Sequence, residues 1–276
     1  MHTSHQPDSV QSNVVLAATH HDPDGRLYAQ AERMLPFLSS MFSTIAIQAT
    51  SATQERAIKL LQSAGAQVRY EANNAATGLN RLGRARRDTI EFALQQDAPA
   101  ILFCDFDRVL HWAEYYPREL EQTVARIAEH DFTVLGRTAR AFATHPRIQR
   151  DTEAIVNYVY ATVSGHAWDV TAAARGLSRR AAAAILAGCP DETIGTDVSW
   201  PLCIECAGQT LGYIVTEGLE FETADRYADQ ITAAGGLGQW IDALDTNPQR
   251  WIERLEIARI EVASMLPYRD TGKPEA

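Results

Sequence analysis

The sequence predicts an α/β fold in which helices flank a mainly parallel sheet, with a helical extension at the C-terminal end. Two observations predict it. Short apolar runs without polar alternation recur along the first hundred residues, and a stretch with helical spacing of apolar residues separates each run from the next. Strands that alternate with helices in this way form βαβ units, whose right-handed crossovers place the strands in parallel.

The first half of the chain contains four predicted strands and three predicted helices. The strands cover residues 14–18, 44–47, 67–70 and 100–104. The helices cover residues 27–42, 53–64 and 79–95, and Gly65 follows the second helix as its C-cap. Because helices cover both faces of such a sheet, the strands need no polar side.

The second half is predicted to mix helices and strands. Helices are expected over residues 119–130, 147–163 and 178–187, the last capped by Ser178, and strands over 133–135, 200–206 and 210–216. A final helix begins at Asn247 and Pro248. Its apolar seam consists of Trp251, Leu255, Ala258, Val262 and Met265. We interpret this seam as packing on its own domain, with a dimer contact as the alternative.

These elements suggest three regions. We expect a disordered tail over residues 1–12, one α/β domain over 13–232 whose first half ends at about 112, and the helical extension over 233–276. The chain has 276 residues, of which 46% are hydrophobic and 22% charged, so it can bury a sizeable core.

Charge and hydropathy exclude several classes of protein. The 35 acidic residues outnumber the 25 basic ones, which disfavours a general nucleic-acid binder. No stretch reaches the roughly 18 consecutive apolar residues of a transmembrane segment. Residues 1–13 are polar and carry no lysine or arginine, unlike a signal peptide, so we expect a cytoplasmic protein.

The four cysteines include one C-x-x-C pair, Cys203 and Cys206. A zinc site would need a second pair or suitably spaced histidines, and no histidine follows His166. We interpret the pair as small apolar residues of a strand, with metal or redox use as the alternative.

Two acidic residues follow the fourth predicted strand directly. Asp105 and Asp107 flank Phe106 after the apolar run 101–104. Ligands of open α/β sheets bind at the carboxyl ends of the strands, so both carboxylates are placed where a ligand is expected. Carboxylate oxygens suit Mg²⁺ or Mn²⁺, which bridge phosphate oxygens in turn. Asp105 and Asp107 are therefore the candidate metal ligands.

The order of these elements and the D-x-D motif resemble GT-A glycosyltransferases, a Rossmann-like fold, and in particular the family 2-like branch. In that family three strand–helix units end in a D-x-D strand, and an acceptor-binding half follows; the resemblance covers residues 14–227. It implies transfer of a hexose-like sugar from a UDP- or GDP-sugar to an acceptor hydroxyl. It also implies Mg²⁺ or Mn²⁺ on Asp105 and Asp107, anchoring the donor diphosphate.

The same resemblance implies residues that bind the donor. The polar loop after the first strand would hold the nucleoside, and a positive face near a helix N-terminus is a suitable place for a diphosphate. The candidates are Thr19, His20, Asn80, Arg84, Arg87, Asp105 and Phe106. A solvated arginine stripe is the alternative interpretation of the helix.

Residues 192–201 resemble the acidic motif that opens the acceptor-side helix of family 2 enzymes. Asp197 would be the general base of an inverting reaction, although Glu192 lies five residues away rather than adjacent to it. Asp197 as a helix cap is the alternative. Trp200 would stack on a sugar ring, and Arg137 and His145, which follow the next strand, would face the acceptor.

GT-A enzymes often use a late histidine as a third metal ligand, but no histidine follows His166 in this sequence. Glu217, Glu220, Glu222 or His111 would substitute for it, or diphosphate oxygens and water would complete the shell. The acceptor implied is a small molecule or a lipid-linked one. We expect no nucleic-acid partner, and a homodimer through the C-terminal helix is the expected oligomer if that helix is not fully packed.

Three alternatives remain open. Residues 102–110 resemble the first motif of haloacid-dehalogenase-type phosphatases, in which Asp105 would be the nucleophile. That family usually has a glycine where Arg108 stands, and no lysine lies between Asp107 and Lys273 to balance phosphate charge. A sugar-phosphate nucleotidyltransferase normally has a lysine-containing signature after strand one, which residues 19–25 lack. A catalytically silent nucleotide-sugar-binding protein is the third.

Overall fold

The centre of the molecule is a seven-stranded sheet in a computed structural model that describes residues 12–70, 78–79 and 81–269. The strands are β1 (Ser12–His20), β2 (Phe42–Ala49), β3 (Gln67–Tyr70), β4 (Ala100–Phe103), β5 (Phe132–Arg137), β6 (Ala174–Ser178) and β7 (Leu211–Thr216). Their order is β3-β2-β1-β4-β6-β5-β7. Only β6 runs antiparallel to its neighbours among the described strands, so the predicted mainly parallel sheet is confirmed.

Helices cover both faces of this sheet. They are α1 (Tyr28–Met41), α2 (Glu55–Ser63), α3 (Leu82–Leu94), α4 (Phe106–Tyr115), α5 (Pro117–Arg126), α6 (Ala139–Ala143), α7 (Arg147–Ser164), α8 (Arg179–Gly188), α9 (Thr196–Cys206), α10 (Ala228–Ala233), α11 (Leu237–Asp245) and α12 (Pro248–Ser264). Three 3₁₀ helices are η1 (Ile127–Glu129), η2 (Glu222–Tyr227) and η3 (Leu266–Tyr268). None of the described helices combines the length and apolarity that crossing a membrane requires.

The buried side chains form two clusters, one on each face of the sheet. Leu16 and Leu102 point to the first cluster, and their neighbours Val15 and Ile101 point to the second. Successive residues of a strand face opposite sides, so a strand covered on both faces must be apolar throughout. This is why the early strands show no polar alternation.

Several predicted elements were wrong. The run 200–206 is helical, in α9, because Trp200, Leu202 and Ile204 are buried and a short apolar run does not distinguish a strand from a buried helix. Strand β6 and helix α4 were not predicted. Ser12, assigned to the tail, begins β1, and the other tail residues lie outside the described ranges.

The interpretation of the cysteines was also wrong. Cys203 lies in helix α9, not in a strand, and forms a disulfide with Cys189, with 6.0 Å between their Cα atoms. Cys189 directly follows α8. The disulfide therefore fixes the end of α8 to α9, and Cys206 lies outside it.

The C-terminal helix α12 packs on its own domain, against α7 and α9. Of its predicted apolar seam, Ala258 and Met265 are buried, whereas Leu255 is exposed to solvent. Two glycines precede helix α11: Gly235 and Gly236 have φ values of +90° and +130°. Because side chains disfavour these values, this joint between α10 and α11 requires glycine.

Candidate functional site

Two neighbouring parallel strands end at the same edge of the sheet and bring Thr19 and Asp105 together. Thr19 is near the end of β1, and Asp105 occupies the N-cap position of α4, just after β4. The Thr19 hydroxyl donates a hydrogen bond of 2.6 Å to Asp105 Oδ1. Asp107 lies in the first turn of α4, where its Oδ1 accepts a 3.0 Å bond from the Arg108 amide. The two carboxylates thus lie at the carboxyl edge of the sheet.

Two arginines balance these carboxylates. Arg108 Nε is 3.8 Å from Asp105 Oδ2, and Arg226 Nη2 is 2.7 Å from Asp107 Oδ2. Burial lowers the pKa of Arg108, but Glu222, Asp105 and Asp107 together raise it above its ordinary value. The Asp105 and Asp107 side chains remain 27% and 14% exposed, so a ligand from solvent can reach both.

The carboxylates of Asp105 and Asp107 suit a divalent cation, but they do not supply a complete set of metal ligands. Within the described ranges, no three His, Cys, Asp or Glu side chains form a metal-binding group. Glu222 Oε1 is 3.6 Å from Arg108 Nη2, while its Oε2 is buried and finds no hydrogen-bond donor in the described chain. Burial raises the pKa of Glu222, and Arg108 opposes the shift. Asp105 and Asp107 fit Mg²⁺ or Mn²⁺ with ligand oxygens and water completing the shell, and Glu222 adds, near Asp107, a carboxylate oxygen without a donor among the described residues.

The other residues suggested as a third metal ligand already form hydrogen bonds or ion pairs with protein side chains. His111 Nδ1 is 2.8 Å from Asp225 Oδ2, and its Nε2 is 3.3 Å from Glu220 Oε1. Arg140 forms ion pairs with both Glu217 and Glu220. Of the four candidate third ligands, Glu222 is the one that shares an arginine with Asp105, since Arg108 lies near both carboxylates.

His20 and Phe106 form one wall of this edge. Their rings meet edge to face at 5.0 Å between centroids, and both are buried. Burial lowers the pKa of His20 to about 4, so its imidazole is neutral at physiological pH. Its Nδ1 has no hydrogen-bond partner in the described chain, which leaves a neutral polar atom beside the carboxylates.

The arginines of the predicted basic face of α3 have different partners. Arg84 pairs with Asp88 at 2.9 Å and with Glu192 at 3.4 Å on the surface. Arg87 instead donates to the last backbone carbonyls of α8 and to that of Cys189, so it stabilises a helix end. Asn80 lies outside the described residues.

Asp197 is enclosed by two arginines that the sequence did not single out. Its Oδ1 is 2.9 Å from Arg86 Nη1 and 3.4 Å from Arg175 Nη2, and all three side chains are buried. Burial raises the pKa of Asp197, while Arg86 and Arg175 lower it. Asp197 lies in the first turn of α9 and Gly195 is the N-cap residue, so Asp197 is not the cap. This ion cluster joins α3, β6 and α9.

The remaining predicted acceptor residues are also buried. Trp200 packs edge to face on Phe103 at 6.0 Å and offers no ring face to solvent. Arg137 forms ion pairs with Glu153 at 2.6 Å and Asp169 at 2.7 Å. His145 Nε2 is 3.3 Å from Arg137 Nη1, and burial together with Arg137 lowers the pKa of His145 to about 3. These side chains therefore pack inside the protein and do not face solvent.

A cavity of about 490 Å³ lies beside η2, between the first turn of α7 and the helices α11 and α12. Residues that line it include Pro146, Phe221, Thr223, Tyr227, Trp240 and Arg254. The sequence did not predict this cavity, because its walls come from segments about a hundred residues apart. The sequence did predict the C-terminal helix, which forms one of the cavity walls.

Comparison with known proteins gives a result only at the level of structure. No family model matches the sequence, and no curated protein matches it either. The crystal structure of glucosyl-3-phosphoglycerate synthase from Mycobacterium tuberculosis superposes with a TM-score of 0.59 at 11% identity, covering 95% of this chain and 82% of that one.

Two complexes of the same M. tuberculosis protein are also similar. One contains Mn²⁺, UDP and phosphoglyceric acid, with a TM-score of 0.56, 12% identity, and coverage of 99% of this chain and 87% of that one. The other contains Mn²⁺, UDP and glucosyl-3-phosphoglycerate, with a TM-score of 0.54, 10% identity, and coverage of 95% and 81%. The likeness shows the fold: the predicted GT-A fold is confirmed.

Proposed function

We propose that this chain is a glycosyltransferase that moves a sugar from a nucleotide-sugar to an acceptor hydroxyl. The observation that carries the proposal is the placement of Asp105 and Asp107 at the open edge between β1 and β4 of a GT-A sheet. The complexes of the similar M. tuberculosis enzyme with Mn²⁺ and UDP support the same chemistry for this chain.

In this proposal Asp105 and Asp107 hold a divalent cation against the donor diphosphate. When bound, the cation neutralises the negative charge that grows on the leaving diphosphate. Thr19 fixes the orientation of Asp105 through its 2.6 Å hydrogen bond. His20 and Phe106 are buried against each other, so in this proposal they position the end of β1 and the start of α4 rather than contact the nucleoside.

The bonds change as follows. The bond between C1 of the sugar and the diphosphate oxygen breaks, and the diphosphate leaves with the electron pair. The acceptor oxygen forms a new bond to C1, and its hydroxyl proton passes to the released diphosphate. Arg108 and Arg226 are close enough to the carboxylates to balance charge at the leaving group.

The predicted catalytic carboxylates take different parts in this proposal. Asp197 is a positioning residue, because its buried ion pairs with Arg86 and Arg175 leave an acceptor hydroxyl no path to it. Glu192 remains half exposed beside Arg84 and is proposed to border the donor diphosphate through that arginine. The phosphatase alternative loses its support, because the motif follows the fourth strand of a GT-A sheet.

The test is donor binding by Asp105→Asn and Asp107→Asn variants of the full chain. Calorimetry with Mn²⁺ and UDP-glucose or GDP-mannose should give binding for the unmodified protein and at least tenfold weaker binding for either variant. Asp151→Asn is the matched control, since that aspartate lies on the surface of α7. Donor binding that is equal in all four proteins would refute the proposal, and binding without turnover would indicate a silent nucleotide-sugar-binding protein.

A further inference from the structure

We propose that the 490 Å³ cavity beside η2 is a binding site for an uncharged sugar, which serves as the acceptor. The inference rests on the proposed glycosyltransferase function and names the class of its second substrate. Its volume lies in the range of small-molecule sites, which is about 300–1,000 Å³, and suits one or two sugar rings.

The cavity and the carboxylates share a wall. Helix η2 contributes Glu222 and Arg226 to the carboxylate edge, where they contact Arg108 and Asp107. Thr223 and Tyr227 of the same helix line the cavity. A six-residue 3₁₀ helix is about 10 Å long, so a molecule in the cavity lies close to the proposed donor site. An acceptor has to lie close to the donor, and the shared helix η2 places the cavity next to the carboxylate edge.

The walls have the composition of a carbohydrate site. Trp240 lies between two other rings, 6.1 Å from Phe221 and 5.7 Å from Tyr227 between centroids. Aromatic rings offer apolar faces to the C–H groups of a sugar. Gln230 also lines the cavity and supplies amide donors and an acceptor for hydroxyl groups, and Gln149, whose amide donates to Glu153 Oε1, supplies its remaining N–H and its carbonyl oxygen. A few polar groups among apolar walls are typical of a site that orients a small molecule.

The charges favour a neutral molecule over an acid. Arg254 Nη2 is 2.6 Å from Glu153 Oε1, and Arg250 Nη1 is 3.1 Å from Glu253 Oε2. Each arginine that lines the cavity in the described chain therefore has a carboxylate partner. A phosphate or carboxylate ligand would have to share one of these arginines with the carboxylate that already pairs with it, and its negative charge would be repelled by Glu153 and by Glu253, which lines the cavity.

The binding test uses the full chain without nucleotide. Ligand-observed NMR titrations with glucose, mannose and maltose as neutral probes, and phosphoglyceric acid as the charged probe, should detect binding of at least one neutral sugar. Trp240→Ala should weaken it about tenfold through loss of the aromatic contact. Tyr158→Ala, which removes a 75% exposed ring on α7, is the control and should bind as the unmodified protein does.

Several outcomes would overturn the inference. These are tighter binding of phosphoglyceric acid than of every neutral sugar, no binding of any neutral sugar, or unchanged affinity in Trp240→Ala. If circular dichroism shows that Trp240→Ala does not fold, Gln230→Ala replaces it, because that side chain is exposed and lines the cavity. It should weaken binding severalfold, and unchanged affinity would again contradict the site.

The two proposals fail in different ways. Donor hydrolysis that depends on Mn²⁺ and on Asp105, without neutral-sugar binding, overturns this inference alone. Neutral-sugar binding without any Mn²⁺-dependent donor binding overturns the acceptor role together with the proposed function. In the supporting case Trp240→Ala raises KM for the sugar acceptor, whereas the control Tyr158→Ala changes neither that KM nor donor hydrolysis.

Discussion

Arg226 Nη2 lies 2.7 Å from Asp107 Oδ2, so a residue of η2 neutralises a carboxylate at the edge of the sheet. A divalent cation held by Asp107 would compete with this guanidinium for the carboxylate. Arg108 has the same relation to Asp105 at 3.8 Å. In the absence of a cation, these arginines offset the repulsion between neighbouring carboxylates.

Removing Arg226 should tighten Mn²⁺ binding when no nucleotide is present. In Arg226→Ala the cation no longer competes with a guanidinium for Asp107, so we expect a severalfold lower Kd by electron paramagnetic resonance of free Mn²⁺. Arg250→Ala removes a surface ion pair elsewhere and serves as the control. Weaker Mn²⁺ binding in Arg226→Ala would contradict this relation.

Removing Asp197 should strongly destabilise the protein. Asp197→Leu leaves Arg86 and Arg175 buried without their carboxylate, and breaking a buried ion pair in this way costs about 3–5 kcal/mol. Urea unfolding measures the loss. Adding Arg86→Met should recover part of it, whereas Asp151→Asn on the surface should change the stability by less than about 0.5 kcal/mol. A loss as small as that of the control would show that the cluster contributes little.

The disulfide between Cys189 and Cys203 should contribute to stability through the loop that it closes. The two residues are 14 positions apart, and a loop of this length corresponds to about 3 kcal/mol. Cys203→Ser should lower the guanidinium midpoint, as should a reductant added to the unmodified protein. The guanidinium midpoint of Cys206→Ser should still fall when reductant is added, whereas that of Cys203→Ser should not change. A midpoint insensitive to reductant in the unmodified protein would speak against the bond.

His111 should make stability depend on pH. Burial lowers its pKa, but Asp225 and Glu220, which its ring nitrogens contact, and the nearby Glu222 raise it more, so the net shift is upward. A raised folded-state pKa means that protonated His111 stabilises the fold fully below the ordinary value of about 6.5, and that this contribution is lost as the pH rises through the raised value.

We therefore expect His111→Gln to be less stable than the unmodified protein by about 2 kcal/mol at pH 5.5, the size of charge-assisted hydrogen bonds. The difference should shrink above pH 8. Thermal unfolding at both pH values measures it. A difference that grows with pH would reverse the sign of the argument.

The sheet was predictable because β1, β2 and β4 contain runs that are apolar on both faces, and the position of Asp105 followed from the end of β4. Strand β6 was not predictable, because its sequence contains a buried arginine, Arg175, and Gly176, whose Cβ would lie 2.5 Å from that of Ile127. Glycine is depleted in strands, and a charged arginine interrupts the apolar run that would predict a buried strand.

The side chains around the candidate site were harder to predict. Arg84, Arg86 and Arg87 are the same residue type on one helix, so the sequence alone does not show that only Arg86 turns inward to Asp197. Helix α9 is buried on nearly every side, which removes the polar–apolar periodicity that would identify it as a helix. The cavity depends on tertiary packing between distant segments, and no local pattern encodes it.

Gly235 and Gly236 set the angle at which α11 presents Trp240 to Phe221 and Tyr227. A side chain at Gly236 would force the backbone into another region and swing the indole away, without touching any strand. The two glycines therefore control the wall that Trp240 gives to the cavity, whereas the wall from η2 is shared with the carboxylates at the strand ends. Under the proposed function, substitutions confined to this two-residue joint would change acceptor binding and leave Asp105 and Asp107 in place.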